Sequence, residues 1–185
     1  MMDLGNKIKK LRIEQNRNLL DIANVCGFSK SLLSKIENGK TIPPISTLIK
    51  IADALGTKVS ILLDDEQQAG TIYTKKETCE ARMTKTDKGY SFFAFAVERG
   101  EKLMQPFLFI TRKEDNDSKN EFSHNGEEFI YILEGEMRYK VGNVEYTLKP
   151  GDSLYFDSIE KHSLMAITDE VKYVAMFTQS KLNNT

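Results

Sequence analysis

At Leu63 the hydrophobic pattern of this chain changes period, and that change constrains the fold more than any other feature. Before it, apolar residues recur at helical spacing: Leu4, Ile8 and Leu11; Ile22, Ala23 and Cys26; Leu32, Leu33 and Ile36; then Ile45, Leu48, Ile49, Ala52 and Leu55. After it, short runs rich in aromatic and β-branched residues occupy 92–97, 107–110, 129–133, 139–141, 153–156 and 173–177. Turn signals separate them at Gly89, Gly100, Pro106, Gly135, Gly142-Asn143 and Pro150-Gly151. The pattern predicts a multidomain α and β protein: an all-α bundle of about five helices over 1–63, then an all-β sandwich or small barrel over 71–185. The stretch Asp64-Asp65-Glu66-Gln67-Gln68-Ala69-Gly70 is polar, lacks apolar periodicity and is read as a linker over 64–70.

Charge divides at the same point. The whole chain of 185 residues carries a net −1, which argues against a phosphate-rich partner only if the charge is evenly spread. Up to Leu63 there are 10 Lys and Arg against 5 Asp and Glu, giving +5; the remaining 16 against 22 give −6. A basic module thus precedes an acidic one. The longest apolar run, 92–97, falls far short of the ~20 residues of a membrane helix, and Met1-Met2-Asp3 is not expected to begin a signal peptide. A soluble cytoplasmic protein without a membrane partner is the expectation. Cys26 and Cys79 form no CxxC or zinc-ligand pattern and are read as reduced, inert thiols.

Residues 21–40 have a specific geometry. Two short helical patterns meet at Gly27, which can take the left-handed conformation that a sharp turn between helices requires. Ser29 stands where the second helix needs an N-cap. That helix buries Leu32, Leu33 and Ile36, so it exposes Lys30, Ser31, Ser34 and Lys35, a polar face without acidic residues suited to the major groove. Asn38-Gly39 ends it. Together with Ala23, Ile36-Glu37-Asn38-Gly39, Pro43-Pro44 and the run 47–56, these residues resemble the helix-turn-helix domain of the phage repressor (Cro/CI-like, XRE) family over residues 4–63. By that resemblance Lys30, Ser31 and Lys35 read base edges of double-stranded DNA, while Ser29, Ser34 and Asn38 touch backbone phosphates. It also implies a homodimer on a palindromic operator with half-sites ~34–36 Å apart. Leu20 departs from the family, which has Ser or Thr capping the first helix of the motif, so a poorly capped start is expected there.

Both histidines of the chain, His124 and His162, lie in the β-rich part. His124 precedes Glu128 by four positions at the entry to the run 129–133; His162 follows a turn, a strand and a loop that begin at Pro150-Gly151. Two imidazoles and a carboxylate form the ligand set of a facial triad, which suits non-heme iron and some other divalent metals. His124, Glu128 and Gly135, then Gly151 and His162, resemble the two motifs of the cupin superfamily, with Phe122 in place of the first motif histidine and Ala166 where the family often has Asn. The resemblance implies a jelly-roll barrel over roughly 71–180 whose cavity holds a small-molecule effector, one divalent ion (Fe, Zn, Mn or Ni), or both, at His124, Glu128 and His162. Without a metal, Glu128 could anchor a cationic ligand such as an amine.

Tyr131, Arg138, Tyr139 and Tyr155 are candidate lining residues. Strand alternation from Glu128 nevertheless places Ile130 and Ile132 on its side and Tyr131 on the opposite face, as core or interface. The charged stretch 113–121 reads as a solvated loop or a mobile lid. In domain order the chain resembles bacterial transcriptional regulators of the putrescine-responsive repressor family, which implies an effector-responsive regulator, a repressor rather than an activator, dimerised through the barrel and with no catalytic residues. The alternative is a mononuclear non-heme metal enzyme, because the epoxidase of phosphonate antibiotic synthesis has the same order and a His-Glu-His triad.

Overall fold

The computed structural model describes residues 4–63, 70–99, 102–117 and 120–178. The chain divides into two compact units, Met1–Gly70 with Val97–Gly100, and Thr71–Ala96 with Glu101–Thr185. Of the expected linker only Gly70 is described; 64–69 lie outside the described residues.

The first unit contains helices α1 (Leu4–Glu14), α2 (Leu19–Cys26), α3 (Lys30–Glu37), α4 (Ile45–Ala54) and α5 (Val59–Leu63). Ile8, Ile22, Leu33, Ile36, Leu48 and Ile49 are buried among them, the residues that the helical spacing singles out. A Cβ at Gly5 would stand 2.5 Å from the Ile36 carbonyl oxygen, so α1 meets the end of α3 at a distance that only glycine permits. A buried ion pair ties the same two helices: Arg12 Nε donates to Glu37 Oε1 at 2.7 Å and Nη2 to Oε2 at 2.9 Å. A third guanidinium nitrogen, Nη1, donates to the Arg17 carbonyl at 2.8 Å. This bidentate pair raises the Arg12 pKa, chiefly through the hydrogen bond to Glu37.

The expected weak start at Leu20 is corrected. Helix α2 begins at Leu19, with Asn18 as its N-cap. The Asn18 side chain accepts from the Leu20 and Asp21 amides at 2.8 and 3.2 Å, and Asp21 Oδ2 accepts from the Asn18 amide at 2.7 Å. This is a complete capping box, and it leaves Leu20 no capping role.

The second unit opens with helix α6 (Lys76–Ala81). Strands β1 (Thr84–Lys85), β2 (Ser91–Ala94), β3 (Met104–Arg112), β4 (Glu127–Glu134), β5 (Met137–Val141), β6 (Val144–Leu148), β7 (Ser153–Asp157), β8 (His162–Ala166) and β9 (Glu170–Thr178) follow. They form a six-stranded sheet ordered β1-β2-β3-β9-β4-β7 and a three-stranded sheet ordered β6-β5-β8. The double-sheet architecture is the one expected, but the sheets do not close into a barrel. Among the described residues only an isolated bridge, Phe122 to His162, extends pairing beyond β8.

Other expectations need adjustment. The run 92–97 pairs only as far as Ala94; the chain then turns, with Ala96 at φ 49. Strand β6 escapes the sequence pattern because four of its five residues are exposed. The stretch 113–121, described except for 118–119, is mostly exposed, as a solvated loop would be, and is also anchored. It opens with a 3-10 turn at Lys113–Asp115, and Asn116 exchanges two hydrogen bonds with the Ala166 backbone, at 2.9 and 2.8 Å. Asn120 is buried. Between the sheets lies an aromatic core in which Phe109 stacks on Tyr173 and Phe107 meets Phe177 edge to face.

Candidate functional sites

The first candidate is the exposed side of α3. Gly27 ends α2 at φ 70, ψ 30, with the Phe28 amide bonded to the Ala23 carbonyl at 2.8 Å. This left-handed turn re-aims the chain at once into α3. Ser29 is the N-cap: its Oγ accepts from the Leu32 amide at 3.1 Å. Its hydroxyl proton is therefore what remains for an outside partner. Leu33, Ile36 and Glu37 anchor the inner side. Lys30, Ser31 and Lys35 are exposed together, as are Ser29 and Asn38, while Ser34 is half-buried. Asn38 Nδ2 donates to the Ser34 carbonyl at 2.7 Å, so its amide group holds the end of α3 in place. The two lysines thus project from a helix fixed at both ends and at its buried side.

The second candidate lies between the sheets. Glu128 enters on β4, His162 begins β8, and His124 lies three residues ahead of β4, its amide bonded to the Ser158 carbonyl at 2.9 Å. All three side chains are buried. Glu128 Oε2 is 3.4 Å from His124 Nε2 and 3.5 Å from His162 Nε2. One potential ligand atom from each residue lies within 4.8 Å of the others.

The outer nitrogens fix what the inner ones can do. His162 Nδ1 is 2.8 Å from the Glu160 carbonyl oxygen and His124 Nδ1 is 3.2 Å from that of Asn125. A carbonyl oxygen can only accept, so each Nδ1–H donates outward and each Nε2 is turned toward the Glu128 carboxylate. Burial lowers the His162 pKa, against an upward pull from Glu128, and so favours the neutral ring. His124 Nε2 and Glu128 Oε2 have no hydrogen-bond donor. Buried acceptors that converge in this way suit a cation. Two ligands held ~2.1 Å from one ion at tetrahedral or octahedral angles stand about 3.0–3.4 Å apart, close to the 3.4 and 3.5 Å between Glu128 and the two imidazoles. The donor set fits a divalent metal ion and could hold one.

Among the expected lining residues only Tyr139 faces inward. It is 2% exposed, and its hydroxyl donates to Glu128 Oε1 at 3.4 Å; burial, then Glu128, raises its pKa well above the usual phenol value. Tyr131 and Tyr155 are exposed on the opposite face of the large sheet, and Arg138 alternates outward from Tyr139 on β5. Ile130 and Ile132 share the Glu128 side, as alternation requires. Phe122, where the first motif histidine would stand, packs its ring 6.1 Å from that of His162. Gln105, absent from the sequence reading, is buried on the inner side of β3. Its Nε2 donates to the Phe95 and Pro106 carbonyls, and its Oε1 has no donor. An inward polar residue at an otherwise apolar strand position was its only sequence signal.

Comparison with known proteins adds to this geometry. Residues 8–62 match the helix-turn-helix family model and 109–177 the cupin domain model. The ImmF control region 10 kDa protein of Bacillus phage phi105 is 35% identical over 65 residues, which cover 35% of this chain and 72% of that protein. The HTH-type transcriptional regulator PuuR of Escherichia coli (strain K12) is 23% identical over 162 residues, 86% of this chain and 85% of that one. Among solved structures, an HTH_3 family transcriptional regulator from Vibrio cholerae superposes with a TM-score of 0.72 at 20% identity, covering 97% of this chain and 96% of that one. The hydroxypropylphosphonic acid epoxidase of S. wedmorenis gives 0.50 at 21% identity, covering 95% and 96%. At such identities both structures speak to the fold.

Proposed function

Since this chain belongs to the XRE-type helix-turn-helix family and carries a cupin domain after the helices in sequence, we propose that it is a cytoplasmic, sequence-specific DNA-binding transcriptional regulator. It works as a homodimer on a palindromic operator. Similarity to PuuR along most of the chain supports this reading, and no helix among the described residues is long and apolar enough to cross a membrane. The observation that carries it is the α3 face: Lys30, Ser31 and Lys35 exposed together on a helix capped by Ser29 and anchored by Leu33 and Ile36. Lys30, Ser31 and Lys35 contact base edges, and Ser29, Ser34 and Asn38 contact phosphates. Asn38 does so within the limits set by its bond to Ser34.

The cupin unit is the sensing part. His124, Glu128 and His162 would hold a divalent ion, one of Fe, Zn, Mn or Ni, which when bound would supply an electrophilic centre for an effector. Glu128 supplies the negative charge, Tyr139 orients it, and the Glu160 and Asn125 carbonyls hold the imidazoles in the ligating tautomer. Aromatic side chains around the triad limit the access of water. A small molecule bound there regulates, as a repressor switch, to the extent that it binds the DNA-competent and DNA-incompetent states with different affinity. The epoxidase likeness is one of fold, and catalysis does not need the basic α3 face, so the enzyme reading is the weaker. Duplexes selected from a random library by the purified protein test the proposal: an enriched palindrome whose affinity changes when Fe(II), Zn(II), Mn(II) or Ni(II) is added supports it. Failure to enrich any duplex would overturn it.

A further inference from the structure

The inner side of the small sheet is covered at its centre and bare at one edge. Strand β6 pairs with β5 alone and β7 with β4 alone, so each ends its sheet, and among the described residues the two do not pair with one another. The connection 149–152 joins them at one end only. In register, Tyr146 lies beside Tyr139 and Val144 beside Val141, which puts both on the side of β5 that faces the triad. Tyr139 is 2% exposed there, whereas Tyr146 is 39% and Val144 54%. Alternation turns Glu145 and Thr147 to the outer face. On β7, Phe156 lies beside Glu128 and Leu154 beside Ile130. Both are half-buried. The Phe156 ring stands 5.1 Å from that of His162 and 5.7 Å from that of Tyr139, so a partly exposed side chain on an edge strand reaches the triad directly.

Few groups set the charge of this site. Among the described residues of the second unit Glu128 is the one buried acid, and no Lys or Arg is buried there. With neutral imidazoles, one carboxylate and a divalent ion, the site carries one net positive charge. Such a charge is costly in a dry interior unless an anion meets it. A carboxylate supplies that anion in a form that divalent metals bind. No charged residue stands among Val144, Tyr146, Leu154 and Phe156. The approach to the triad along these four side chains therefore favours hydrocarbon and offers no partner to a second charged group.

We propose that the unpaired edges of β6 and β7 form the mouth of the triad site, and that Val144, Tyr146 and Phe156 there select an effector with an apolar body and one carboxylate head. The proposal rests on the triad's holding a divalent ion, and it adds the class of molecule that the open side accepts. The full chain loaded with Co(II) and followed by visible absorption provides the test, with 3-phenylpropanoate, propanoate and 3-phenylpropylamine as probes. 3-Phenylpropanoate is expected to shift the spectrum. It should bind at least tenfold more tightly than propanoate, which lacks the body, and than the amine, which reverses the charge of the head. Tyr146→Glu and, separately, Val144→Glu should weaken 3-phenylpropanoate at least tenfold by setting a like charge at the mouth. Tyr146→Phe, and Thr147→Glu on the outer face of β6, should bind it as the wild type does. Thermal melting monitors folding, and if Tyr146→Glu does not fold, Val144→Glu decides. Three probes bound alike, a preference for the amine, or wild-type affinity in Val144→Glu would overturn the proposal and leave the metal site standing. A chain that takes up no Co(II) would overturn both.

Discussion

Glu128 is the residue on which the second unit's chemistry turns. Glu128 is 4% exposed, accepts one long hydrogen bond from Tyr139 at its carboxylate, and otherwise faces two imidazole Nε2 atoms. A buried anion without a cation is destabilising. Glu128→Gln should therefore leave the metal-free protein at least as stable as the wild type while removing a metal-induced rise in melting temperature. At ~100 times its dissociation constant an ion stabilises the native state by about 2.7 kcal/mol, and the variant should lose most of that in a thermal melt. An unchanged metal shift in Glu128→Gln would remove Glu128 from the ligand set. Cys26 makes a second prediction at this scale. Burial pushes its thiol up to about 11, and Sγ lies 3.5 Å from the Lys50 carbonyl oxygen that its proton faces. It stays a thiol up to mildly alkaline pH, so a disulfide reagent at pH 8 should modify it at the unfolding rate only. The side of β4 that Glu128 shares with Ile130 and Ile132 is legible in the sequence because alternation depends on local geometry. The inward position of Tyr139 is not, because it depends on which face of β5 meets the other sheet.

Helix ends and helix contacts show the same division. The start of α2 is written locally: Asn18 followed three residues later by Asp21 is a capping-box pattern, and the family comparison at Leu20 drew attention two positions too far along the chain. Asn18→Ala should cost about 1 kcal/mol in urea unfolding, whereas Leu20→Thr should recover little. The Arg12–Glu37 pair spans 25 positions, a separation at which no local pattern announces a contact. Arg12→Ala leaves Glu37 buried without its partner and should cost about 3–5 kcal/mol in the same measurement; replacing both by apolar residues of similar volume should cost far less. An equal loss in the double variant would mean that packing of the Arg12 stem, not charge, holds α1 to α3.

Over the whole molecule, the net charge of −1 conceals a basic helical part and an acidic β-rich part. The change of hydrophobic period at Leu63 and the change of charge sign mark the same division, and the helical and β-rich parts follow from them. The pairing order of the strands did not, since β3 meets β9 across a separation of more than fifty residues that no short window spans.

The central claim is that α3 reads DNA, and binding of a library-selected duplex across a salt series tests it most directly. Affinity should fall steeply with salt, with a slope of about −0.9 per phosphate contact in a double-logarithmic plot. Lys30→Ala should also relax base preference at one position by ~1–3 kcal/mol, and Lys35→Ala should do so at another. Wild-type affinity and base preference in the Lys30→Ala, Lys35→Ala double variant would contradict it.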